Sequence, residues 1–144
     1  MKGRLVIHSR CLKTGLRKKI VDVENLILDT MYHELISLLG GTGSQAYIAK
    51  MMFGTGNLAP ASTQTFLSRP ITPAKAVIIT VDVDNFNLTC EASLLSDEAN
   101  GFPISEAGLL TFSQVLVTRA IFDARTKTAD FVFDFNWTIY TKAP

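Results

Sequence analysis

Residues 129–140 have the sequence ADFVFDFNWTIY, in which apolar and polar side chains alternate along almost the whole length. Successive side chains of a β-strand point to opposite faces, so this period of two predicts a strand with one buried face. Aromatic side chains bury a large apolar surface, and this face carries four of them. The sequence therefore predicts that the centre of the core lies on this strand, at Phe131, Phe133, Phe135 and Trp137.

Two antiparallel hairpins and one further strand are predicted upstream of this stretch. Each hairpin consists of short apolar runs separated by turn-forming residues, a pattern typical of paired strands. Residues 54–76 are instead predicted to be irregular, because their three prolines cannot donate to a strand ladder. The predicted strands are residues 47–53, residues 76–83 with 88–95, and residues 107–112 with 115–122.

One amphipathic α-helix is predicted at residues 22–39. Its apolar side chains recur at steps of three and four residues, which places them on one stripe of a helix. Asp22 is a candidate N-cap, and Gly40-Gly41 supplies the residues that helices favour just past their C-terminus. The stripe predicts a helix packed on a sheet, and it consists of Val23, Leu26, Ile27, Met31, Leu35 and Leu38.

The first 21 residues differ from the rest of the chain in charge. They hold seven basic residues and no acid, whereas the remainder holds the other seven bases and all 13 acids. Alternation at residues 4–9, a turn signal at Lys13-Thr14-Gly15 and a segment at residues 16–21 that could pair back predict a short hairpin. Because so much charge is hard to bury in a small domain, this hairpin is predicted to project as an arm that neighbouring subunits order. The predicted interface residues of the arm are Lys2, Arg4, Arg10, Lys13, Arg17, Lys18 and Lys19.

These elements together predict a mainly β fold, an antiparallel β-sandwich with one N-terminal amphipathic α-helix and an extended N-terminal arm. Residues 1–21 would form the basic arm, and residues 22–144 would form the sandwich domain with the helix at 22–39. A chain of 144 residues with 47% hydrophobic content is long and apolar enough for one ordered core.

The composition also predicts a chain made and folded in a cytoplasm. No apolar run approaches the roughly 18 residues of a membrane span. Basic residues interrupt any candidate signal peptide near the start. Cys11 and Cys90 lie far apart in different predicted elements, and such thiols are usually reduced in a cytoplasm, although the sequence leaves a disulfide open.

Patterns that indicate catalysis or metal binding are weak. Gly54-Thr55-Gly56 lacks the residues that complete a phosphate-binding loop and is interpreted as a turn leaving a strand. The run Asp82-Val83-Asp84-Asn85 lacks the glycine and the distant glutamate of a calcium loop. Neither His8 nor His33 lies in a recognisable catalytic or zinc-binding arrangement. The sequence therefore predicts no enzyme activity, no metal site and no cofactor.

The segment around Glu106 predicts a structural ion pair. Asn100-Gly101 forms a turn signal, Pro103 stiffens its exit, and Glu106 then enters a strand among apolar neighbours. A carboxylate in such surroundings needs a partner, and Arg119 in the following strand is the candidate. A buried pair of this kind can fix the register of two strands.

Residues 98–110, EANGFPISEAGLL, belong to a pattern of short motifs that spans about residues 22–140. The pattern resembles small bacteriophage virion proteins encoded among tail and neck genes. Its Ile-Ser-Glu-x-Gly-Leu core is also similar to the N-terminal anchoring module of phage tail-fibre proteins. The other motifs are Gly54-x-Gly56 with Pro60, Thr65-x-Leu67, Leu116-x-x-Arg119, Lys127-Thr128-x-Asp130-Phe131 and Trp137-Thr138-Ile139.

This resemblance implies a structural part of a phage tail, neck or baseplate. Tail-fibre proteins continue into a shaft and a receptor-binding tip, whereas this sequence ends at Pro144, so an adaptor, collar or baseplate connector is expected. A basic arm on an acidic body favours head-to-tail docking of copies into a homo-oligomeric ring that binds tail, neck or fibre proteins. The alternatives left open are nucleic-acid binding through the basic arm and glycan or host-surface binding by the β-sandwich.

Overall fold

A computed structural model describes residues 1–43 and 45–142 of the chain, which form nine β-strands and one α-helix. The strands account for most of the predicted apolar runs, so the mainly β prediction is confirmed. The helix α1 spans Asp29–Leu39. The strands are β1 Lys2–Cys11, β2 Arg17–Ile27, β3 Ile48–Gly54, β4 Pro70–Ala76, β5 Ile78–Asp82, β6 Asn87–Leu94, β7 Pro103–Thr111, β8 Leu116–Thr126 and β9 Phe131–Tyr140.

The nine strands form a single antiparallel sheet, with the order β4-β3-β7-β8-β2-β1-β9-β6-β5. The strands at its two ends, β4 and β5, follow one another in the chain with only Val77 between them. The two ends of the sheet therefore come together, and the sheet is nearly closed and barrel-like. The ion pair between Lys75 and Glu98, 2.7 Å long, joins β4 to the turn after β6 at this closure.

The predicted β-sandwich of two sheets is not what the structure shows, because strand β2 belongs to both halves of the fold. It pairs with β1 along most of its length, and its last residues, Leu26 and Ile27, pair with β8. This one strand joins the two halves of the fold, so they form a continuous sheet and not two separate ones. The physical reason is that a long strand can bend and change partners, as strands do at the corners of barrels.

The core lies where the sequence predicted it, on the inward face of β9. This strand sits between β1 and β6, and Phe133, Phe135 and Trp137 are buried. The ring of Phe135 contacts that of Phe53 on β3 across the interior, with 4.6 Å between centroids. Phe131 is only half-buried because it lies at the end of the strand, so the prediction for this residue is wrong.

The predicted helix at 22–39 begins too early. Residues 22–27 belong to β2, and α1 begins at Asp29. The valines at 21 and 23 alternate with charged residues and therefore fit a strand as well as a helical stripe. The Asp22 carboxylate binds Arg4 on the neighbouring strand and does not cap a helix. At the observed start of the helix, Leu28 occupies the N-cap position, and no side chain makes a capping hydrogen bond there.

The predicted projecting arm is also wrong, because β1 and β2 are interior strands of the sheet. β1 pairs with both β2 and β9, and its inward residues Leu5 and Ile7 are buried. A charged segment can occupy the middle of a sheet when its charges alternate with apolar residues and face the solvent. The segment predicted to be irregular likewise contains a strand, β4, since a strand at the end of a sheet tolerates Pro70 and Pro73.

Candidate functional site

The Glu106 carboxylate lies at the centre of the most extensive buried polar network in the described part of the chain. Its side chain is fully buried on β7. The Oε1 atom accepts hydrogen bonds from the Ser68 backbone N–H, at 2.8 Å, and from Arg119 Nε, at 3.3 Å. The Oε2 atom accepts from the Ser68 hydroxyl and from the Arg69 backbone N–H, both at 3.0 Å. The carboxylate therefore holds the chain just before β4 against β7.

Arg119 extends this network from the next strand, β8. Its fully buried guanidinium group donates through Nη1 to the Leu58 carbonyl, at 2.8 Å, and to Gln64 Oε1, at 3.2 Å. Gln64 in turn donates to the Ala59 carbonyl, so both ends of the loop at residues 55–69 are bound to the same ion pair. The structure thus brings the two predicted residues together and adds a loop that the sequence did not connect to them.

Gly54 and Gly56, at the start of this loop, make the close approach possible. A Cβ atom on Gly54 would lie 2.7 Å from Glu106 Cγ, and one on Gly56 would overlap the Ser68 hydroxyl and the Glu106 carboxylate. The Gly54-x-Gly56 motif therefore serves to bring backbone against a buried carboxylate. This use of glycine follows from the absence of a side chain and does not require a bound phosphate.

Burial alone would raise the pKa of Glu106, but the hydrogen bonds from Arg69 and Ser68 and the charge of Arg119 outweigh it. The pKa of Glu106 consequently lies below the ordinary value of 4.5. Despite burial, hydrogen bonds from Arg10 and Ser93 likewise lower the pKa of Asp134. These carboxylates are therefore held in the charged form in the folded protein.

We expect the protein to lose stability in acid for this reason. A carboxylate with a lowered folded-state pKa contributes stability above its unfolded pKa, and this contribution is lost as the pH falls further. The free energy of unfolding, measured by denaturant titration, should decrease between pH 7 and about pH 5 because the pKa of His8 is lowered, and should fall further below about pH 4.5 as the carboxylates are protonated. In Glu106→Gln the decrease between pH 5 and pH 3 should be smaller, because one of the contributing groups is missing. An equal decrease in both proteins would contradict the assignment to Glu106.

A second buried cation, Lys127, organises the turn at residues 96–101. Its ammonium group donates to Asn100 Oδ1 and to the Ser96 carbonyl, and burial lowers its pKa. Glu98 in the same turn accepts two hydrogen bonds from Lys75 on β4. The start of the Glu98–Leu110 motif is therefore a structural turn that fastens the closure of the sheet. The sequence carried a signal for the contact between Lys127 and this turn, since Lys127-Thr128 and residues 98–110 belong to the same pattern of motifs.

Five of the seven basic residues predicted for the arm are already paired with acids of the same chain. Each of the five has a carboxylate oxygen within 4.0 Å, and only Lys2 and Lys18 have none among the described residues. Three of the pairs join different strands, whereas Lys19–Asp22 lies within β2 and Lys13–Asp130 joins two turns. The five bases share three carboxylates, so the pairs neutralise only part of the charge that the sequence shows. The pairs are Arg4–Asp22, Arg10–Asp134, Lys13–Asp130, Arg17–Asp134 and Lys19–Asp22.

The remaining reactive side chains do not converge. Cys11 and Cys90 are both free, and burial raises the pKa of the Cys90 thiol to about 12. Burial and the nearby charges of Arg17 and Lys19 lower the pKa of His8. Within residues 1–43 and 45–142, no three histidine, cysteine or carboxylate side chains are close enough to hold a metal ion. In the same residues, no helix is long and apolar enough to cross a membrane.

Several surfaces expose large apolar side chains, and in three of them these side chains lie close together in sequence. The hairpin tip, residues 11–18 between β1 and β2, exposes Leu12 and Leu16. The helix face consists of Tyr32, Ile36 and Leu39 on the outer side of α1. The β5 edge, residues 78–83, exposes Ile78, Ile79, Val81 and Val83.

Comparisons of the chain with protein-family models, with curated proteins and with solved structures gave no significant match. The fully buried ionisable groups hold loops and turns of the same chain in place. Large apolar side chains, in contrast, are exposed at the surface.

Proposed function

We propose that the protein is a structural subunit of a bacteriophage tail or neck, which forms a ring with its own copies and provides an attachment surface for tail or fibre proteins. The observation that carries this proposal is the set of three exposed apolar surfaces, the hairpin tip, the helix face and the β5 edge. The fully buried charged groups, in contrast, are bound to other groups of the same chain. Contiguous exposed apolar surface is typical of protein–protein contacts. The resemblance of residues 98–110 to phage virion proteins is the reason for assigning the protein to a phage particle.

The β5 edge is the surface best suited to attachment of another protein. An end strand offers unpaired backbone groups, and proteins commonly guard such strands with proline or lysine. β4, at the other end of the sheet, carries Pro70, Pro73 and Lys75, whereas β5 carries none of these residues. An extended segment of a tail or fibre protein could therefore add to β5 as a further strand, as in known cases of strand addition.

The buried ion pairs support a structural role in a different way. They fix the loop at 55–69 and the turn at 96–101, two segments that would otherwise be free to move. A rigid surface loses less conformational freedom when it binds, so preformed loops favour repeated assembly contacts. Both carboxylate oxygens of Glu106 accept hydrogen bonds from groups of the same chain, which supports a structural use of this residue.

The nucleic-acid alternative leads to a distinct expectation. Since five of the seven bases in residues 1–21 share three carboxylates of the same chain, their attraction for phosphates is reduced. We expect no sub-micromolar binding of double-stranded DNA at about 150 mM salt, and a shallow dependence of affinity on salt at lower concentration. Fluorescence anisotropy with a labelled duplex would measure both. Tight binding with a steep salt dependence would favour the alternative.

The proposal itself is tested by the mass of the purified protein in solution. The chain has a mass of 15.8 kDa, and light scattering after size exclusion should give a defined multiple of that value at about 100 µM. A single sharp species is expected, because ring contacts close on themselves. A monomer that persists up to the solubility limit would overturn the ring.

A further inference from the structure

We propose that the side chains of Lys127 and Asn100 react with each other once the chain has folded and become joined by an amide bond. The geometry that carries this inference is a buried lysine without a carboxylate partner, whose Nζ atom contacts the side-chain carbonyl group of the asparagine. Such a cross-link is a modification of the chain itself. It goes beyond the proposed function and requires neither a ring nor a phage particle.

Lys127 is buried in a way that is unusual for a lysine. It is 1% exposed, and lysines are rarely buried to this extent unless an acid accompanies them. The other fully buried base, Arg119, lies beside the Glu106 carboxylate. Among the described residues, no carboxylate oxygen lies within 4.0 Å of Lys127 Nζ. Its three acceptors are Asn100 Oδ1 and two backbone carbonyl groups, all of them uncharged. Conversion of the amine to an amide would remove a charge that these groups do not neutralise.

The same burial prepares Lys127 as a nucleophile. Burial lowers the pKa of its ammonium group, although the charges of Asp97 and Glu98 act in the opposite direction. The uncharged amine is the form of lysine that attacks carbonyl carbons. A lowered pKa therefore increases the fraction of the reactive form.

The Asn100 side chain is held where this amine can reach it. Its Oδ1 atom lies 2.5 Å from Lys127 Nζ. Since a carbonyl bond is about 1.23 Å long, the Cγ atom lies within about 3.7 Å of the same nitrogen, near the separation at which reacting atoms attack. The Nδ2 group donates to the Ser96 carbonyl, at 2.8 Å, which fixes the orientation of the amide. The backbones of Asn100 and Lys127 also lie opposite each other in a β-bridge.

Glu98 is the candidate for carrying the proton. It lies in the same turn, two residues before Asn100, and its charge acts on Lys127. Hydrogen bonds from Lys75, at 2.7 and 2.9 Å, lower the pKa of Glu98 and keep it charged, so it is able to accept a proton. A positioned carboxylate of this kind is a common general base.

The reaction balances without any other reactant. The Lys127 ammonium group gives one proton to Glu98, and the electron pair on Nζ then forms a bond to Asn100 Cγ. The bond between Cγ and Nδ2 breaks after Nδ2 has taken a second proton from Nζ, so this nitrogen leaves as ammonia. Glu98 returns its proton to the ammonia, which departs as ammonium. One ammonium group and one amide are thus converted into one amide and one ammonium ion, with no oxidation or reduction.

The backbone nitrogen of Gly101 is the competing nucleophile. In an Asn-Gly sequence this nitrogen can attack the same Cγ atom to form a succinimide, which also releases ammonia. In this structure the Gly101 N–H donates to the Lys127 carbonyl, at 3.0 Å, and is therefore occupied. The arrangement favours attack by the lysine over attack by the backbone.

The mass of the fully denatured protein tests the cross-link directly. Mass spectrometry should give a value about 17 Da below that of the sequence, because one ammonia molecule is lost. Digestion should release a branched peptide that contains both Asn100 and Lys127. Lys127→Arg and Asn100→Ala should each show the full mass, since they remove the nucleophile and the electrophile. The matched controls Lys50→Arg and Asn57→Ala change exposed residues and should retain the deficit.

The role of Glu98 is tested by the rate at which the deficit appears after cell-free synthesis. Glu98→Gln should slow the reaction by about 100-fold, the usual contribution of a general base. Asp97→Asn, which removes the neighbouring exposed acid, should leave the rate unchanged. Circular dichroism would verify that both variants are folded. An equal rate in Glu98→Gln would overturn the assignment of the proton carrier.

The full sequence mass in the folded, unchanged protein would overturn the cross-link. A deficit that persists in Lys127→Arg would overturn it as well, because it would indicate the succinimide at Asn100-Gly101. If the variants do not fold, the branched peptide from the unchanged protein decides the question alone, and its absence from a complete digest contradicts the proposal. None of these measurements depends on assembly, so the proposed function can fail while the cross-link stands, or the reverse.

Discussion

Replacing Glu106 with alanine should lower the free energy of unfolding by about 3–5 kcal/mol, the usual cost of leaving one member of a buried ion pair alone. Arg119 would keep its charge in a fully buried position, and the N–H groups of Ser68 and Arg69 would lose their acceptor. Urea denaturation followed by circular dichroism measures this change. The melting temperature should fall by about 10 °C.

Three further variants show whether the ion pair causes this loss. Glu106→Gln keeps the shape of the side chain but removes its charge, so an intermediate loss is expected. Glu24→Ala removes an exposed carboxylate and should change stability by less than about 0.5 kcal/mol. In Glu106→Ala/Arg119→Ala the two losses should not add, because each single change already breaks the pair. Additive losses, or an unchanged Glu106→Gln protein, would contradict a coupled pair.

Replacing Trp137 with alanine should be equally costly, at about 3–5 kcal/mol. The indole ring is fully buried on β9, and its Nε1–H donates to Asn25 Oδ1 at 2.9 Å. The change would leave a large cavity and an unpaired amide oxygen at the place where β2 passes from β1 to β8. Denaturant titration should show the loss in the midpoint, with little change in the slope.

Phe131 on the same face of the same strand provides the matched control. Because its ring is only half-buried, Phe131→Ala should cost about 1–2 kcal/mol, clearly less than the tryptophan change. Trp137→Phe keeps most of the apolar surface and removes only the hydrogen bond to Asn25, so its cost should lie between the two. Equal losses for Phe131→Ala and Trp137→Ala would contradict a core centred on the middle of β9.

The alternating strands could be predicted from the sequence because a period of two determines both the strand and its buried face. This holds for residues 129–140 and for the hairpins around Asp84 and Ser113, where turn-forming residues also mark the ends. The pairing of Glu106 with Arg119 could be anticipated for a related reason. A carboxylate among apolar residues has few possible partners, and the next predicted strand, residues 115–122, contains one arginine.

The errors arose where two patterns fit the same residues. Val21 and Val23 suit a strand, whereas Val23, Ile27 and Met31 suit a helix, and only the neighbouring strands decide between them. The charge of residues 1–21 misled in a similar way, since the acids that neutralise it, such as Asp130 and Asp134, lie more than 100 residues later. Long-range pairing of this kind has no local signal.

The loop at 55–69 shows what sequence patterns could not supply for the candidate site. Its backbone N–H groups, not its side chains alone, bind Glu106, and backbone groups are the same in every residue. Only the glycines at 54 and 56 carried a hint, because they indicate close approach of the backbone. The exposed helix face was likewise hidden, since the predicted stripe accounted for the buried side of the helix and not for Ile36 and Leu39.

Electron cryomicroscopy of the phage particle to which we propose that this protein belongs is the most direct measurement of its role. A ring of copies with the nine-stranded fold should be found around the tail or neck axis, with the β5 edge facing another virion protein. A complete particle map in which no copy of this fold can be placed would contradict the structural role.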